Sequence, residues 1–574
     1  MNMRKTLFPV LIGFFVLFSL SPTFYEWSLK DTIRPDRVFE LVHNFPTDYN
    51  FYLSRIREGL EGRWTAIEKY TSEPHAGSLI HEMYLLMGKV GAWVGVPWGR
   101  VGDVYHAARV VLAVVLLALI AEFCKKSFDV RFMNYDVRMN ASTGLFIHHK
   151  SYVIILAFLL AVTASSWPKL VAVIGGSVVP AGMDNIVQWR FGGYMAWWSV
   201  MDSLQRITFI PHVLAGQALI VFLVMSLTLP TALKSGMYVL MLGVLAFVLG
   251  MVFPPGLVFV YAVMGIWVVL SGKRYKQWLV PYGVVVMMSV PALLYLGLMT
   301  GMYPWKRLAE VDIIRPLPFD YAEYMKAMGP MLPLGLVGLV VVLISREAAI
   351  FPAVAWVIAW AALLGIFAFV PQQSPLRFSE MIPHVPLGVL TGYLFYKMYA
   401  VRSLRYVGVL ASIVLVGIGF FHMYSSYLWQ RDFIDHKIRA TLPLVPTGSY
   451  VMYPLKDFVA AMGYIQDVSK GQGVVLSETT AGNYIPAYIG NAVYAGHDNT
   501  VRLEAKKETV KEFFAGRMNV GQARTWIAEA RITYVFFGPQ EREDGRIQDL
   551  REIYPFIEEV YRNNQVIVYI IPSW

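Results

Sequence analysis

The 574-residue chain is 56% hydrophobic and only 15% charged, with mean hydropathy +0.50, which excludes an ordinary soluble domain. A net charge of +10 would suit a nucleic-acid binder if the protein were soluble. Here the basic residues sit mainly in short loops between apolar runs, so membrane topology accounts for them and nucleic acid is not an expected partner. The single cysteine, Cys124, excludes an intrachain disulfide framework and a multi-cysteine metal site.

The chain opens Met1-Asn2-Met3-Arg4-Lys5 and is then apolar to about Leu20. No small-x-small cleavage pattern precedes Tyr25-Glu26-Trp27, so an uncleaved first membrane helix is predicted. Apolar runs long enough to span a core of roughly 30 Å recur along the sequence. They predict eleven spans, at about 6–24, 104–123, 151–169, 207–229, 235–252, 254–271, 277–299, 328–345, 349–370, 383–400 and 404–424. Alternate loops hold Arg4 and Lys5; Lys125, Lys126, Arg131, Arg138 and Lys150; Lys234; Lys273, Arg274 and Lys276; Arg346; and Lys397, Arg402 and Arg405. The positive-inside tendency assigns that set to the cytoplasm. The 25–103 loop, 170–206, 300–327, 371–382 and everything after 425 then lie outside.

The fold class expected is a mainly α polytopic membrane protein carrying a small extracytoplasmic α/β domain, with domains at 1–424 and 425–574. In the second, Val474-Val475-Leu476, Ile532–Phe537 and Val566–Ile571 read as buried strands. Lys511–Phe514 and Arg551-Glu552-Ile553 read as amphipathic helices. The turn after Ser477 and the stretch Val493–His497 could form a ligand lip or a plain strand-turn-helix; His497 beside Asp498 is not a metal site by itself.

The first long loop concentrates the chemistry. Asp48 is followed at helical spacing by Arg55 and Arg57, then by Trp64, Glu73 and His75, and by an interfacial amphipathic helix at about Leu79–Val94. A carboxylate held at headgroup level can take the proton of an acceptor hydroxyl. The plainer alternative makes Asp48 a helix N-cap and the arginines a solvated or headgroup-facing surface. Other ionisable residues stand at outward membrane borders: Arg377 with Glu380 and His384, His212 after Asp202 and Arg206, and His106 with Arg109. Arg377 has the forked donor geometry that suits a phosphate.

The segment Asp48–Trp64, followed by Glu73-Pro74-His75 and Leu85–Gly88, resembles the first periplasmic loop of the C-type (GT-C) membrane glycosyltransferases. It is most similar to the branch of protein O-mannosyltransferases and the lipid A aminoarabinose transferase. Asp48 matches that family's Asp, Phe51-Tyr52 its aromatic pair, Arg57-Glu58 its Arg-Glu, and Gly62-Arg63-Trp64 its Gly-x-Trp. Tyr49 replaces the second acid, and Glu73 stands where the family has a lysine.

The resemblance implies an inverting transferase in the cytoplasmic membrane. It would move a sugar from a polyprenyl-phosphate donor to a hydroxyl of a glycan, lipid or protein at the outer face. Asp48 is the implied base. Arg55, Arg57, Glu73, His75, Arg377, Glu380 and His212 are the expected substrate or phosphate contacts, the last three from their place at outward membrane borders and not from the resemblance. No cofactor is required, and a divalent cation between Asp48 and Glu73 is compatible with the same chemistry. The competing expectation is a transporter, lipid-handling protein or scaffold with a ligand-binding outer domain; the absence of internal repeats weighs against a transporter.

Overall fold

The structure is a computed structural model and describes residues 3–41, 46–128, 144–174, 177–180, 188–229, 232–370, 373–441 and 452–572. Arg131 and Arg138 of the expected cytoplasmic set lie outside these residues. The chain forms two compact units. The first holds Met1–Pro22, Ala108–Tyr295 and Arg315–Gln430; the second holds Thr23–Ala107, Leu296–Ile314 and Arg431–Trp574.

A helix stands at each of the eleven places where a span is expected. Among the described residues, four helices are long and apolar enough to cross a membrane: Trp98–Ser127, Lys276–Met299, Ala348–Phe367 and Arg405–Arg439. The number is six if each of two bent helix pairs is one span. The remaining apolar helices are shorter, for example Pro211–Leu227, Gly236–Val252 and Pro254–Leu270 at 17 residues each.

Small residues let the first unit's helices approach closely. A Cβ on Gly338 of helix Met331–Ser345 would lie 2.3 Å from the Leu390 carbonyl oxygen. A Cβ on Gly388 of helix His384–Ala400 would lie 2.7 Å from the Ala161 nitrogen. Where lipid tails are as apolar as leucine, such backbone proximity rather than hydrophobic burial drives helix association. Trp356 fills the neighbouring core, its ring 5.6 Å from Phe123 and 5.7 Å from Phe259, with its indole N–H donated to the Met381 carbonyl at 2.9 Å. The expected outer stretch 170–206 contains an antiparallel sheet, β1 (Lys169–Ile174), β2 (Ser177–Pro180) and β3 (Gln188–Gly192), in the order β2-β1-β3.

The second unit is built on a mixed five-stranded sheet. Its strands are β4 (Val474–Leu476), β5 (Ala492–Val493), β6 (Ile532–Phe537), β7 (Glu558–Arg562) and β8 (Ile567–Ile570), in the order β5-β4-β6-β8-β7. β4 pairs in parallel with β5 and β6, and the β6-β8-β7 part is antiparallel. Helix Leu503–Phe514 forms as read, packing Val510, Phe513 and Phe514 into the core. The helix expected at Arg551–Ile553 is only a 3-10 turn, Leu550–Glu552, started by the Asp549 side chain. Pro555, two residues beyond Ile553, has no N–H with which to extend it.

The first loop folds into this same unit. Helix Pro46–Leu60 crosses helix Glu82–Trp93 at Gly59 and Gly88, where an added Cβ would sit 2.0 Å from the facing backbone oxygen in each direction. It also packs on helix Thr479–Tyr488, where the Asn50 amide donates to the Asn483 side chain at 2.8 Å. Next to the sheet, the backbone N–H of Val493 donates to the Lys69 carbonyl at 2.8 Å. A buried ion pair, Lys437 Nζ to Glu26 at 2.8 Å, joins two further parts of the unit.

Candidate active site

Helix Pro46–Leu60 begins before Asp48, which therefore lies in its first turn, where a negative charge favours the helix dipole, instead of capping it from outside. The spacing i, i+3, i+7 puts Asp48, Phe51 and Arg55 on one face. The Asp48 carboxylate is 42% exposed, and its Oδ1 lies 3.5 Å from Nε2 of His497. His497 is buried and lies flat on Phe51, with ring centres 4.9 Å apart and planes 14° apart. Its Nδ1 accepts the Asn499 backbone N–H at 3.2 Å. With Nδ1 accepting, the ring's N–H is on Nε2, toward Asp48.

The turn carrying His497 is held in turn. Thr500 Oγ1 accepts from the backbone of Gly496 and His497 at 3.2 and 3.3 Å and donates to the Tyr70 carbonyl at 2.7 Å. Gly496 touches Gly482 so closely that a Cβ there would fall 2.2 Å from the Gly482 oxygen, which restricts the position to glycine.

Behind Phe51 lies a closed charge cluster. Arg55 has no exposed side-chain surface; its guanidinium donates to Glu58 at 3.0 Å, to Glu68 at 2.6 Å and to the Ile67 carbonyl, and sits 4.8 Å over the Phe51 ring. Burial works against its charge, but Glu68 and Glu58 outweigh that and raise its pKa. Arg57 is likewise buried, donating to Glu61 at 2.8 Å and to the Tyr488 carbonyl, with Trp98 5.3 Å away; burial lowers its pKa. Both arginines expected to meet phosphate are thus engaged by groups of the second unit.

Glu73 and His75 shape the adjoining loop. His75 donates through Nδ1 to the Glu73 carbonyl at 2.7 Å and accepts the Glu68 N–H on Nε2 at 2.8 Å. The Glu73 carboxylate accepts from Lys506 at 2.8 Å and from the Thr71 hydroxyl. Burial pushes its pKa up, but Lys506 and Thr71 prevail and hold it below the ordinary value. A cation shared by Asp48 and Glu73 would therefore have to displace these two donors. Among the described residues, no group of three or more His, Cys, Asp or Glu is placed to hold a metal ion.

The remaining expected residues are in the first unit. Arg377 and Glu380 lie on the 3-10 stretch Pro375–Glu380, and the carbonyl of the buried Glu380 accepts from Gln217 at 3.0 Å. His212 is the second residue of helix Pro211–Leu227. Arg206 donates to the carbonyls of Val162 and Ala164 at 2.7 and 2.6 Å, tying two segments together.

A second acidic cluster lies at the carboxyl ends of the parallel strands β4 and β6. Glu541 accepts the backbone N–H groups of Glu478 and Gly538 at 2.8 and 2.9 Å, and burial pushes its pKa to about 7. Burial and the neighbouring Asp544 carboxyl push Glu478 to about 8. His497 and Lys506, the partners of Asp48 and Glu73, were missed by the sequence reading, since no local pattern links them to a loop more than 400 residues away.

No family model matches the chain, and neither does any curated protein. Among solved structures it is similar to several at low sequence identity. One is the Archaeoglobus fulgidus oligosaccharyltransferase tethered to an acceptor peptide containing the NVT sequon, at 12% identity and TM-score 0.49, over 100% of this chain and 75% of that one. Another is ArnT from Cupriavidus metallidurans in the apo state, at 9% identity and TM-score 0.45, over 98% of both chains.

Proposed function

We propose that the chain is a C-type membrane glycosyltransferase that moves a sugar from a polyprenyl-phosphate donor to a hydroxyl acceptor on the outer face of the cytoplasmic membrane. The amino terminus is then cytoplasmic and residues 425–574 are extracytoplasmic. The observation that carries the reading is the half-open Asp48 carboxylate, backed by a buried histidine whose ring N–H points toward it. In the proposed step the acceptor oxygen bonds the anomeric carbon and its proton passes to Asp48. The bond from that carbon to the phosphate oxygen breaks, the lipid phosphate leaves with the electron pair, and configuration inverts. His497 acts as a positioning residue that keeps the carboxylate oriented.

For the leaving phosphate we assign Arg377, with Glu380 and His212 as further substrate contacts, each to be tested by its own substitution. Asp48→Asn keeps size and shape but cannot accept the proton. In membranes supplied with a polyprenyl-phosphate sugar, loss of product from a normally folded variant supports the proposal. Unchanged product refutes it and favours a transporter or scaffold.

A further inference from the structure

Four segments of the first unit enclose a cavity of about 50 Å3. They are the residues after helix Gly144–Thr163, the stretch after β3, the turn at Met201–Ser203, and the 422–429 part of helix Arg405–Arg439. By the positive-inside tendency these ends face the outside. No residue assigned above to the transfer step belongs to these four walls.

The helix gives His422, Ser425, Ser426 and Trp429, and the spacing i, i+3, i+4, i+7 puts all four on one face. A face that only packed against its neighbours would carry apolar residues there. Trp429 is half-buried with its indole nitrogen buried, so the surface it offers is ring carbon. Asp202 also lines the cavity and is half-buried. Its Oδ1 accepts the backbone N–H groups of Leu204 and Gln205 at 2.8 and 2.9 Å and the Ser426 hydroxyl at 2.9 Å. The carboxylate is therefore oriented before any ligand arrives, and a ligand would meet Oδ2. The glycine wall is pinned as well: Ser166 Oγ accepts the Tyr194 N–H at 2.8 Å and donates to the Trp167 carbonyl at 2.8 Å. Such preorganisation removes much of the cost of ordering a binding site.

A carboxylate beside serine hydroxyls and ring carbon suits a ligand with O–H groups along an edge and C–H groups on a face, which is the chemistry of a sugar ring. One water takes about 10–15 Å3 on this scale, so the cavity holds roughly four small groups. That is the size of a vicinal diol, with the rest of the ring at the opening. A cationic ligand would meet like charge, since the Lys169 and Lys326 ammonium groups already lie 4.8 and 5.5 Å from the centre of the lining Tyr194 ring.

We propose that this cavity binds the vicinal diol edge of a pyranose ring in a glycan, with Asp202 accepting from its hydroxyls and Trp429 covering its C–H face. Binding is read without turnover, so this site and the Asp48 step can fail separately. The full-length protein in amphipol, which carries no sugar, would be studied by saturation-transfer NMR with the methyl pyranosides of glucose, mannose and galactose. Saturation of ring protons is expected, and none for tetrahydropyran, which has the ring without hydroxyls. Asp202→Asn, which keeps an oxygen for the two backbone N–H groups, should weaken binding about tenfold. Ala196→Leu, which fills the cavity from the glycine wall, should abolish it. Binding unchanged in both variants overturns the proposal, as does equal saturation of tetrahydropyran. So does binding of the free hexoses but not of their methyl glycosides, which would make the ligand a free sugar. Saturation of choline in place of the glycosides also overturns it and would make this a site for a cation.

Discussion

Replacing Arg55 by methionine separates two roles that the sequence alone could not. The guanidinium has no exposed surface and links two carboxylates, those of Glu58 and Glu68, which are at most 1% exposed. Methionine fills most of the volume but leaves both acids without their cation. Glu58 keeps the Ile67 N–H at 2.8 Å, and Glu68 keeps the Tyr70 N–H at 3.1 Å, so the loss is partial. Removing one member of a buried ion pair costs about 3–5 kcal/mol. At about 2–4 °C per kcal/mol for a body of 150–250 residues, Arg55→Met is expected to melt roughly 10 °C early. Adding Glu58→Gln and Glu68→Gln removes the stranded charges and should recover most of that loss. The assay is thermal unfolding of purified protein by intrinsic fluorescence, beside donor binding. A variant that melts with the wild type yet loses donor affinity would refute the structural role and return Arg55 to the phosphate.

Asp48→Asn should lower turnover roughly a hundred- to ten-thousand-fold at unchanged melting temperature, measured as glycan product per enzyme. His497→Phe should lower kcat with little change in KM, and His497→Gln, which can still donate toward Asp48, should restore part of it; equal loss in both would remove the positioning role. Arg377→Ala should cut turnover, with Arg377→Lys retaining only a fraction because a point charge does not reproduce a fork of donors. Glu478 and Glu541 stand at about 8 and about 7 when folded, against about 4.3 for an ordinary glutamate. Between about pH 5 and 8 the folded chain therefore holds protons that the unfolded chain releases, and stability falls as pH rises through that window. Melting temperatures across this range should slope down in the wild type and flatten in Glu478→Gln; parallel slopes would contradict the buried, proton-holding pair.

Apolar run length placed a helix at each expected position, because that signal is local and needs no partner. Strands β4, β6 and β8 were readable from short β-branched runs for the same reason. Strands β1 and β2 were not read, although Val171–Ile174 and Ser177–Pro180 flank a Gly-Gly pair, which is a hairpin signal. For the site, helical spacing sufficed to align Asp48 with Phe51 and Arg55. It could not tell whether a guanidinium faces a ligand or its own chain, although Arg55 and Glu58 at i, i+3 were a cue to the latter. The backing of Asp48 by His497 is a tertiary fact with no local trace in the sequence.

That backing imposes an order on biogenesis. Asp48 leaves the ribosome early, whereas His497, Thr500 and the glycine seam at Gly482 and Gly496 are made near the end of synthesis. The first loop must then wait, its Tyr70 carbonyl and Phe51 face uncovered, until the last quarter of the chain has been translated. A nascent protein halted before that point would carry Asp48 without the wall that His497 and Thr500 form beside it.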